Sequence, residues 1–259
     1  MFRDSDNNIG PAAHRDWKAH LVPQRWERFG RQEHGVWDRL FTRQLPYLGD
    51  RIVEPFLRGI AKMGLDRPGI PELERLSDRL DSLTGWRLVS VAGIVPDEAF
   101  FAMLADRRFP IGNFIRGADS LDYLKEPDCF HDIFGHVPML GDPEIARLME
   151  ALGRLGVRAL AEGHGEVISR LYWHTVEFGL AREGGEVKIF GAGLASSFGE
   201  AHFSLEADVP RPRFTVREAA ATPYRNDVFQ PLYFVSDSLD EVAAELEGLS
   251  PADLAKLSA

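Results

Sequence analysis

The sequence is poor in cysteine, in positive charge and in long apolar runs. Its one cysteine, Cys129, excludes an intramolecular disulfide and favours a reducing, cytoplasmic compartment. Thirty basic against 40 acidic residues leave a net charge of −10, which argues against a nucleic-acid or anionic-membrane partner. No apolar run approaches the ~20 residues that span a bilayer, and the polar N-terminus is unlike a secretory signal. These absences predict a cytosolic protein that binds neither nucleic acid nor membrane.

The remaining composition is typical of a globular protein of 259 residues, with 44% apolar residues. Residues 1–15 are polar and unpatterned, and we predict that they form a flexible N-terminal arm. Residues 16–259 contain no repeat or linker and are predicted to form a single catalytic domain. Apolar residues recur mostly at helical spacing, so we predict an α+β fold that is predominantly helical with a few short strands. Helices are predicted over 35–63 (broken or kinked near Pro46 and Pro55), 73–83, 97–107, 142–160, 166–178 and 239–247, and strands over 86–92, 186–190, 213–217 and 231–236.

Two histidines, His131 and His136, stand in the apolar stretch KEPDCFHDIFGHVPML. Polar groups in such surroundings are costly to bury unless something binds them. On a regular α-helix this spacing places the two side chains ~140° apart, so they can share an ion only if His131 lies at or before the helix start. The stretch matches neither the zinc-protease signature H-E-x-x-H nor the paired E-x-x-H units of di-iron proteins. A pair of hydrogen-bonded core histidines is the alternative at this stage.

A third ligand is offered by Glu177, a carboxylate in the otherwise mostly aromatic and aliphatic stretch LYWHTVEFGL. Two imidazoles and one carboxylate form a facial triad with open positions, which suits Fe(II) and O2 chemistry. The same ligand set also serves catalytic zinc in hydrolases, so residue types alone leave the metal undecided. His174, one turn before Glu177, could be a further ligand or a supporting group. Cys129 is interpreted as a small buried residue.

Four motifs carry a resemblance to a known family: EPDCFHDIFGHVPML, LYWHTVEFGL, GAGLASSFGE and FQPLYFVSDS. In this order they resemble the catalytic domain of the pterin-dependent aromatic amino acid hydroxylases, above all the bacterial members, over roughly residues 15–250. The resemblance implies a mononuclear Fe(2+) ion bound by His131, His136 and Glu177, with O2 as co-substrate. It also implies a tetrahydropterin cofactor and an aromatic amino acid as the small-molecule substrate.

The resemblance also assigns the cofactor-binding residues. Gly93, Ile94 and Val95 would present backbone to the pterin, Phe100 would stack on the pterin ring, and Asp132 would lie beside it. Without the resemblance, the sequence favours a role for Phe100 as a residue of the hydrophobic core.

For the substrate, the resemblance implies that Arg116 binds the carboxylate in bidentate fashion and that Asp128 holds Arg116. Ser196 would be a second substrate contact. The predicted slot for the aromatic ring consists of Pro127, Trp173 and Phe178. Taken without the resemblance, the Arg–Asp pair and these three residues could equally have a purely structural role.

The implied activity is that of a monooxygenase that converts phenylalanine to tyrosine, a step of phenylalanine catabolism. Tryptophan or tyrosine hydroxylation is the alternative within the family, because Asn226 in the loop 223–229 departs from the pattern of the animal phenylalanine enzymes. A metal-binding relative without turnover is the alternative of another class. No side-chain general base is required, and His174 and Glu200 are predicted at most to tune the pocket. Without an N-terminal regulatory domain or a long heptad helix, the protein is predicted to be a monomer.

Overall fold

The computed structural model describes residues 16–122, 126–206, 208–226 and 228–257. The predicted arm, residues 1–15, lies outside the described residues. The described residues pack around one hydrophobic core that extends from Val36 to Leu254 and includes Cys129, which is only 1% exposed. No helix among them is both long and apolar enough to cross a bilayer.

Helices dominate the structure, as predicted. Two wide, π-helical turns interrupt the helical pattern, one over His131–His136 and one over Trp173–Glu177. The α-helices are α1 (Arg31–Leu48), α2 (Glu54–Met63), α3 (Leu73–Thr84), α4 (Asp97–Ala105), α5 (Val137–Leu140), α6 (Pro143–Ala161), α7 (Gly165–Tyr172), α8 (Ala192–Ser196), α9 (Phe198–Ser204), α10 (Val216–Ala221), α11 (Leu239–Gly248) and α12 (Pro251–Leu257).

The strands form two small sheets. In the first, β1 (Arg87–Val91) and β2 (Arg108–Gly112) are parallel and pair Val91 with Gly112. In the second, β3 (Leu180–Glu183) lies between an antiparallel β4 (Glu186–Ile189) and a parallel β5 (Val235–Ser236).

The first predicted helix is broken, but not at Pro46. This proline lies inside α1, and the break falls at 49–53, where a short 3-10 turn begins at Gly49. Pro55 occupies the first turn of α2, where its missing N–H costs no intrahelical hydrogen bond. A proline in the first turn of a helix does not interrupt it, so the presence of proline alone does not predict where a helix breaks.

The predicted strand over 213–217 is wrong. Arg213 makes a single isolated bridge to Val235, and the Thr215 side chain then accepts a hydrogen bond from the Glu218 backbone N–H at the start of α10. Threonine followed three residues later by glutamate is a helix-start signal, and here it overrides the strand propensity of the flanking residues. The same signal at Ser238 correctly predicts the start of α11.

Helix α8 packs against both π-helical turns, and glycine makes this close approach possible. A Cβ atom on Gly191 would lie 2.2 Å from the Glu177 carbonyl oxygen, and one on Gly135 would lie 2.8 Å from the Ala192 carbonyl oxygen. A larger residue at either position would push the two segments apart. The two turns and α8 thus form one tightly packed unit around the residues described next.

Candidate active site

Three side chains converge at the two π-helical turns. His131 Nε2 lies 3.3 Å from His136 Nε2, and the Glu177 oxygens lie 3.6 Å and 3.2 Å from these two nitrogens. Ligand bonds of about 2.1 Å to one ion, at angles between right-angled and tetrahedral, place donor atoms about 3.0–3.5 Å apart. These residues therefore have the chemistry and the spacing to hold one metal ion. Among the described residues, this is the group of histidine and carboxylate side chains that is close enough together to do so.

The π-helical turn explains how the two histidines converge. The chain is already helical at Cys129, so His131 does not lie at or before the helix start, and that expectation is wrong. A π-helix bonds residue i to residue i+5, and this wider turn brings residues at that spacing onto one side of the helix. The i,i+5 spacing that disfavours a shared ion on an α-helix thus favours it here.

The electrostatics of the cluster suit metal binding. Burial lowers the pKa of His131 to about 4, so its imidazole is neutral near pH 7. Burial would raise the pKa of Glu177, but the imidazoles of His136 and His131 and a hydrogen bond from the Tyr172 hydroxyl lower it to about 2. Neutral imidazole and ionised carboxylate are the protonation states that bind metal.

The ring of His131 is oriented by Ser196. The Ser196 hydroxyl lies 2.9 Å from the Ala192 carbonyl oxygen, to which it donates, and 2.8 Å from His131 Nδ1. Because the hydroxyl proton is used on Ala192, the proton of this contact comes from Nδ1 of His131. This tautomer leaves a lone pair on Nε2, the atom that faces His136 and Glu177.

One cavity of about 270 Å³ contains the cluster in its wall. The residues predicted from the sequence all line it except Asp128, which lies fully buried behind Arg116. Those lining residues are Gly93, Ile94, Val95, Phe100, Arg116, Pro127, His131, Asp132, His136, Trp173, Glu177, Phe178 and Ser196.

Comparison with known proteins identifies the family. The sequence pattern of the biopterin-dependent aromatic amino acid hydroxylases matches residues 25–254. The chain belongs to this family. It is 47% identical to the phenylalanine-4-hydroxylase of Caulobacter vibrioides over 90% of this chain and 79% of that protein.

Solved structures agree with this assignment. A single-residue variant of phenylalanine hydroxylase from Chromobacterium violaceum superposes with a TM-score of 0.90 at 39% identity, covering 92% of this chain and 87% of that one. The same enzyme with bound oxidised Fe(III) superposes with a TM-score of 0.87 at 40% identity, covering 92% and 86%. The predicted fold class and the predicted family are thereby confirmed.

In this hydroxylase, Arg116 is held by Asp128. The carboxylate oxygens of Asp128 lie 2.8 Å from Nε and 2.9 Å from Nη2 of Arg116, and one of them also accepts the His131 backbone N–H at 3.0 Å. Burial would raise the pKa of Asp128, but the Arg116 guanidinium and the backbone N–H groups hold it below its usual range. Because this edge of the guanidinium is occupied, a substrate carboxylate can reach only the remainder of the fork, on Nη1 and Nη2.

The predicted pterin residues occupy one wall of the cavity. Ile94 is 40% exposed, whereas Phe100 is 8% exposed and packs edge-on against Tyr172, with ring centroids 5.2 Å apart. Phe100 thus belongs to the core and also borders the cavity, and its stacking on a pterin stays a prediction. Asp132 accepts the Gly112 backbone N–H at 2.7 Å, and burial raises its pKa well above the usual range.

All three residues of the predicted ring slot, Pro127, Trp173 and Phe178, line the cavity, and Trp173 belongs to an aromatic stack that includes Phe178 and also Tyr224, which is not among the lining residues. Trp173 lies between Phe178, with centroids 4.8 Å apart, and Tyr224, with centroids 4.3 Å apart. Tyr224 escaped the sequence analysis because it is distant in the chain and follows α10 in a loop. His174 points away from the metal cluster, with Nε2 2.9 Å from the Thr222 carbonyl oxygen, so it anchors this loop and is not a fourth ligand.

Two further functional residues carry weak sequence signals. Tyr172 precedes Glu177 by five positions, the spacing that a π-helical turn aligns, but nothing in the sequence reveals that turn. Glu200, predicted only as a tuning group, lines the cavity, and burial raises its pKa to about 7. Its hydrogen-bond partners lie 30 or more residues away in the chain.

Proposed function

We propose that this hydroxylase converts L-phenylalanine to L-tyrosine with O2 and a tetrahydropterin, at an Fe(II) ion held by His131, His136 and Glu177. The observation that carries this proposal is the convergence of two imidazoles and one carboxylate in the wall of the cavity. Such a triad leaves coordination positions open for oxygen and water, unlike a closed structural site. When bound, the iron would activate O2 and the tetrahydropterin would supply two electrons, so that one oxygen atom of O2 enters the substrate ring and the other ends in water.

The chain's own contribution is to position the amino acid substrate. We assign to Arg116 the binding of the substrate carboxylate, through the part of its guanidinium that Asp128 leaves unoccupied. Ser196 lines the same cavity, lies 2.8 Å from His131 Nδ1 through its hydroxyl, and is assigned as a second substrate contact. The ring slot of Pro127, Trp173 and Phe178 would orient the aromatic ring and exclude water from it.

The pterin is assigned to other residues that line the same cavity. Gly93, Ile94 and Val95 precede α4 in a loop whose backbone is free to donate and accept hydrogen bonds. Phe100 and Asp132 line the cavity as well, and they provide an aromatic ring and a carboxyl group for the pterin. A flat, hydrogen-bonding heterocycle suits this combination of backbone polar groups, an aromatic side chain and one carboxyl group.

A product assay coupled to metal analysis tests the function. Protein loaded with Fe(II) and given a tetrahydropterin, O2 and equal concentrations of phenylalanine, tryptophan and tyrosine should form tyrosine fastest. The zinc-loaded protein is the matched control, because zinc accepts the same ligands but has no redox chemistry, and it should form no product. An iron-loaded sample that hydroxylates none of the three amino acids would overturn the proposal, and preference for tryptophan or tyrosine would change the substrate.

We also propose that the hydroxylase works as a monomer in the cytoplasm. The buried, single Cys129 suits a reducing compartment. Sedimentation equilibrium of the purified protein should give a mass near 29.0 kDa, and a stable tetramer would refute the monomer.

A further inference from the structure

One side of the cavity is formed by a short exposed segment. Asn226, Val228 and Phe229 line the cavity, and we call the described residues 225, 226, 228 and 229 the rim segment. Val228 and Phe229 are 48% and 47% exposed, and Phe229 packs against Phe203 with ring centroids 5.4 Å apart, so side-chain burial accounts for part of what holds the segment in place. Hydrogen bonds to the backbone of the segment restrain its conformation further.

Gln230 supplies these hydrogen bonds through its side chain. Its Nε2 donates to the Arg225 carbonyl oxygen at 2.5 Å, and its Oε1 accepts the Arg225 backbone N–H at 3.3 Å. The side-chain amide thus pairs with both polar backbone groups of one residue, as a neighbouring strand would. Gln230 is 2% exposed, so these bonds are shielded from competing water.

Glu200 fixes Gln230 in turn. One carboxyl oxygen of Glu200 accepts both the Gln230 backbone N–H at 3.0 Å and the Tyr233 hydroxyl at 2.9 Å. Glu200 lies in α9, lines the cavity and is 6% exposed. The hydrogen bonds therefore run from the cavity wall through Gln230 to the rim segment.

We propose that Glu200 and Gln230 are positioning residues for the amino acid substrate, which hold the rim segment across the cavity and so determine amino acid affinity. This inference rests on the proposed function for the identity of the substrate. Neither residue belongs to the candidate metal cluster. A loosened rim segment would admit water to the cavity and leave the substrate ring less well oriented.

Three variants test the proposal. Gln230→Ala removes both side-chain bonds to Arg225 and keeps the backbone donor to Glu200, and Glu200→Ala removes the shared acceptor. Glu200→Gln retains an acceptor oxygen and is the conservative rescue. Gln24→Ala is the matched control, because Gln24 bonds in the same two-sided way to the backbone of Pro71 and Leu73, outside the residues that line the cavity.

The first readout is amide hydrogen exchange in the iron-loaded protein without substrate. Exchange at the Arg225 amide should accelerate about tenfold or more in both alanine variants, and exchange at the amide of residue 230 should accelerate in Glu200→Ala alone, because Gln230→Ala keeps that hydrogen bond. The second readout is calorimetric binding of L-phenylalanine, which should weaken about tenfold in both alanine variants and remain close to wild type in Glu200→Gln and Gln24→Ala. In steady-state kinetics, the weaker binding should appear as a higher KM for the amino acid, and the KM for the pterin should be unchanged.

The outcomes separate the two proposals. If phenylalanine affinity is unchanged in the alanine variants although exchange accelerates, the rim segment does not position the substrate and the inference is wrong. If Gln24→Ala weakens phenylalanine binding as much as Gln230→Ala, the effect is general destabilisation, and the inference is again wrong. Failure of the wild-type protein to hydroxylate any aromatic amino acid defeats the proposed function instead, and the exchange and binding measurements detect the rim effect independently of turnover.

Discussion

The Tyr172 hydroxyl donates a hydrogen bond to the Glu177 carboxylate from five residues earlier on the same helix. His131 and His136 have the same separation in the other π-helical turn. Both turns therefore use the i,i+5 alignment of a π-helix to bring two polar side chains to one point. The first turn aligns two candidate ligands with each other, and the second aligns a candidate ligand with the group that orients it.

Replacing Tyr172 with phenylalanine tests the second pair. Tyr172→Phe keeps the ring that packs against Phe100 and removes the hydroxyl that donates to Glu177. Loss of a partner that orients a metal ligand lowers metal affinity about 10–100-fold, and we expect this range for Fe(II). Competition with a chelator of known affinity measures the change. Undiminished iron affinity would mean that Glu177 is oriented without Tyr172.

Replacing Glu177 with alanine should remove most of the bound iron while the fold remains. The variant loses the one carboxylate ligand, and burial keeps the His131 imidazole in its neutral form, which tolerates an apolar environment. Iron content after loading and dialysis, together with circular dichroism, gives the two readouts. Glu183→Gln is the control, because this carboxylate accepts the Glu54 backbone N–H away from the cavity and should leave the iron content at wild-type level. A Glu177→Ala protein with full iron would remove Glu177 from the ligand set.

Asp128→Asn should destabilise the protein strongly. The substitution keeps the shape of the side chain but leaves the guanidinium of Arg116, with 7% of its side chain exposed, without its counter-charge. Breaking a buried ion pair on one side costs about 3–5 kcal/mol of unfolding free energy. Urea denaturation at pH 7 measures the loss. Asp78→Asn, which breaks an exposed pair with Arg87, should cost less than about 1 kcal/mol, and similar losses in the two variants would contradict the argument.

Gly191→Ala tests the contact of α8 with the turn that carries Glu177. The added Cβ would lie 2.2 Å from the Glu177 carbonyl oxygen, and backbone cannot yield as a flexible side chain can. We expect a loss of about 1–3 kcal/mol in unfolding free energy and a lower iron content. Gly35→Ala, inside α1 with no atom within 4 Å of the added Cβ, should instead stabilise the protein by about 0.5–1 kcal/mol. Thermal unfolding and iron analysis of both variants distinguish the two effects.

The sequence predicts the long helices and the short strands β1 and β4 of this fold, and it fails for several other short elements. Helices α3, α6 and α11 have apolar residues at helical spacing together with recognisable starts or ends, and they are found as predicted. Strand β2 was missed because Phe109 to Gly112 are all buried, so its polarity does not alternate, and because Pro110 argues against a strand. Helices α8, α9 and α10 span seven residues or fewer, too short for a periodic pattern to appear.

The residues that line the site are predicted from the four sequence motifs and their order along the chain. The spacing of polar residues within the sequence does not predict them by itself. The separation of His131 and His136 is misleading until the π-helical turn is known, and that turn depends on packing against α8. The contacts of Glu200 with Gln230 and Tyr233 join residues 30 and 33 positions apart, and only the folded chain reveals them. Sequence therefore predicts which residues take part more readily than it predicts how they are held.

Glu200 should make the stability of the metal-free protein depend on pH in one specific window. Burial raises its pKa from the usual 4.5 to about 7, so between these values the unfolded chain loses a proton that the folded protein keeps. The contribution of Glu200 to stability is thus fully present below about pH 4.5 and is lost as the pH rises through about 7, by up to about 3 kcal/mol. Glu200→Gln does not titrate, so its unfolding free energy relative to wild type should increase by this amount from pH 4.5 to pH 8. Urea denaturation of both proteins across this range measures the difference, and a difference that is constant with pH would show that Glu200 ionises normally in the folded protein.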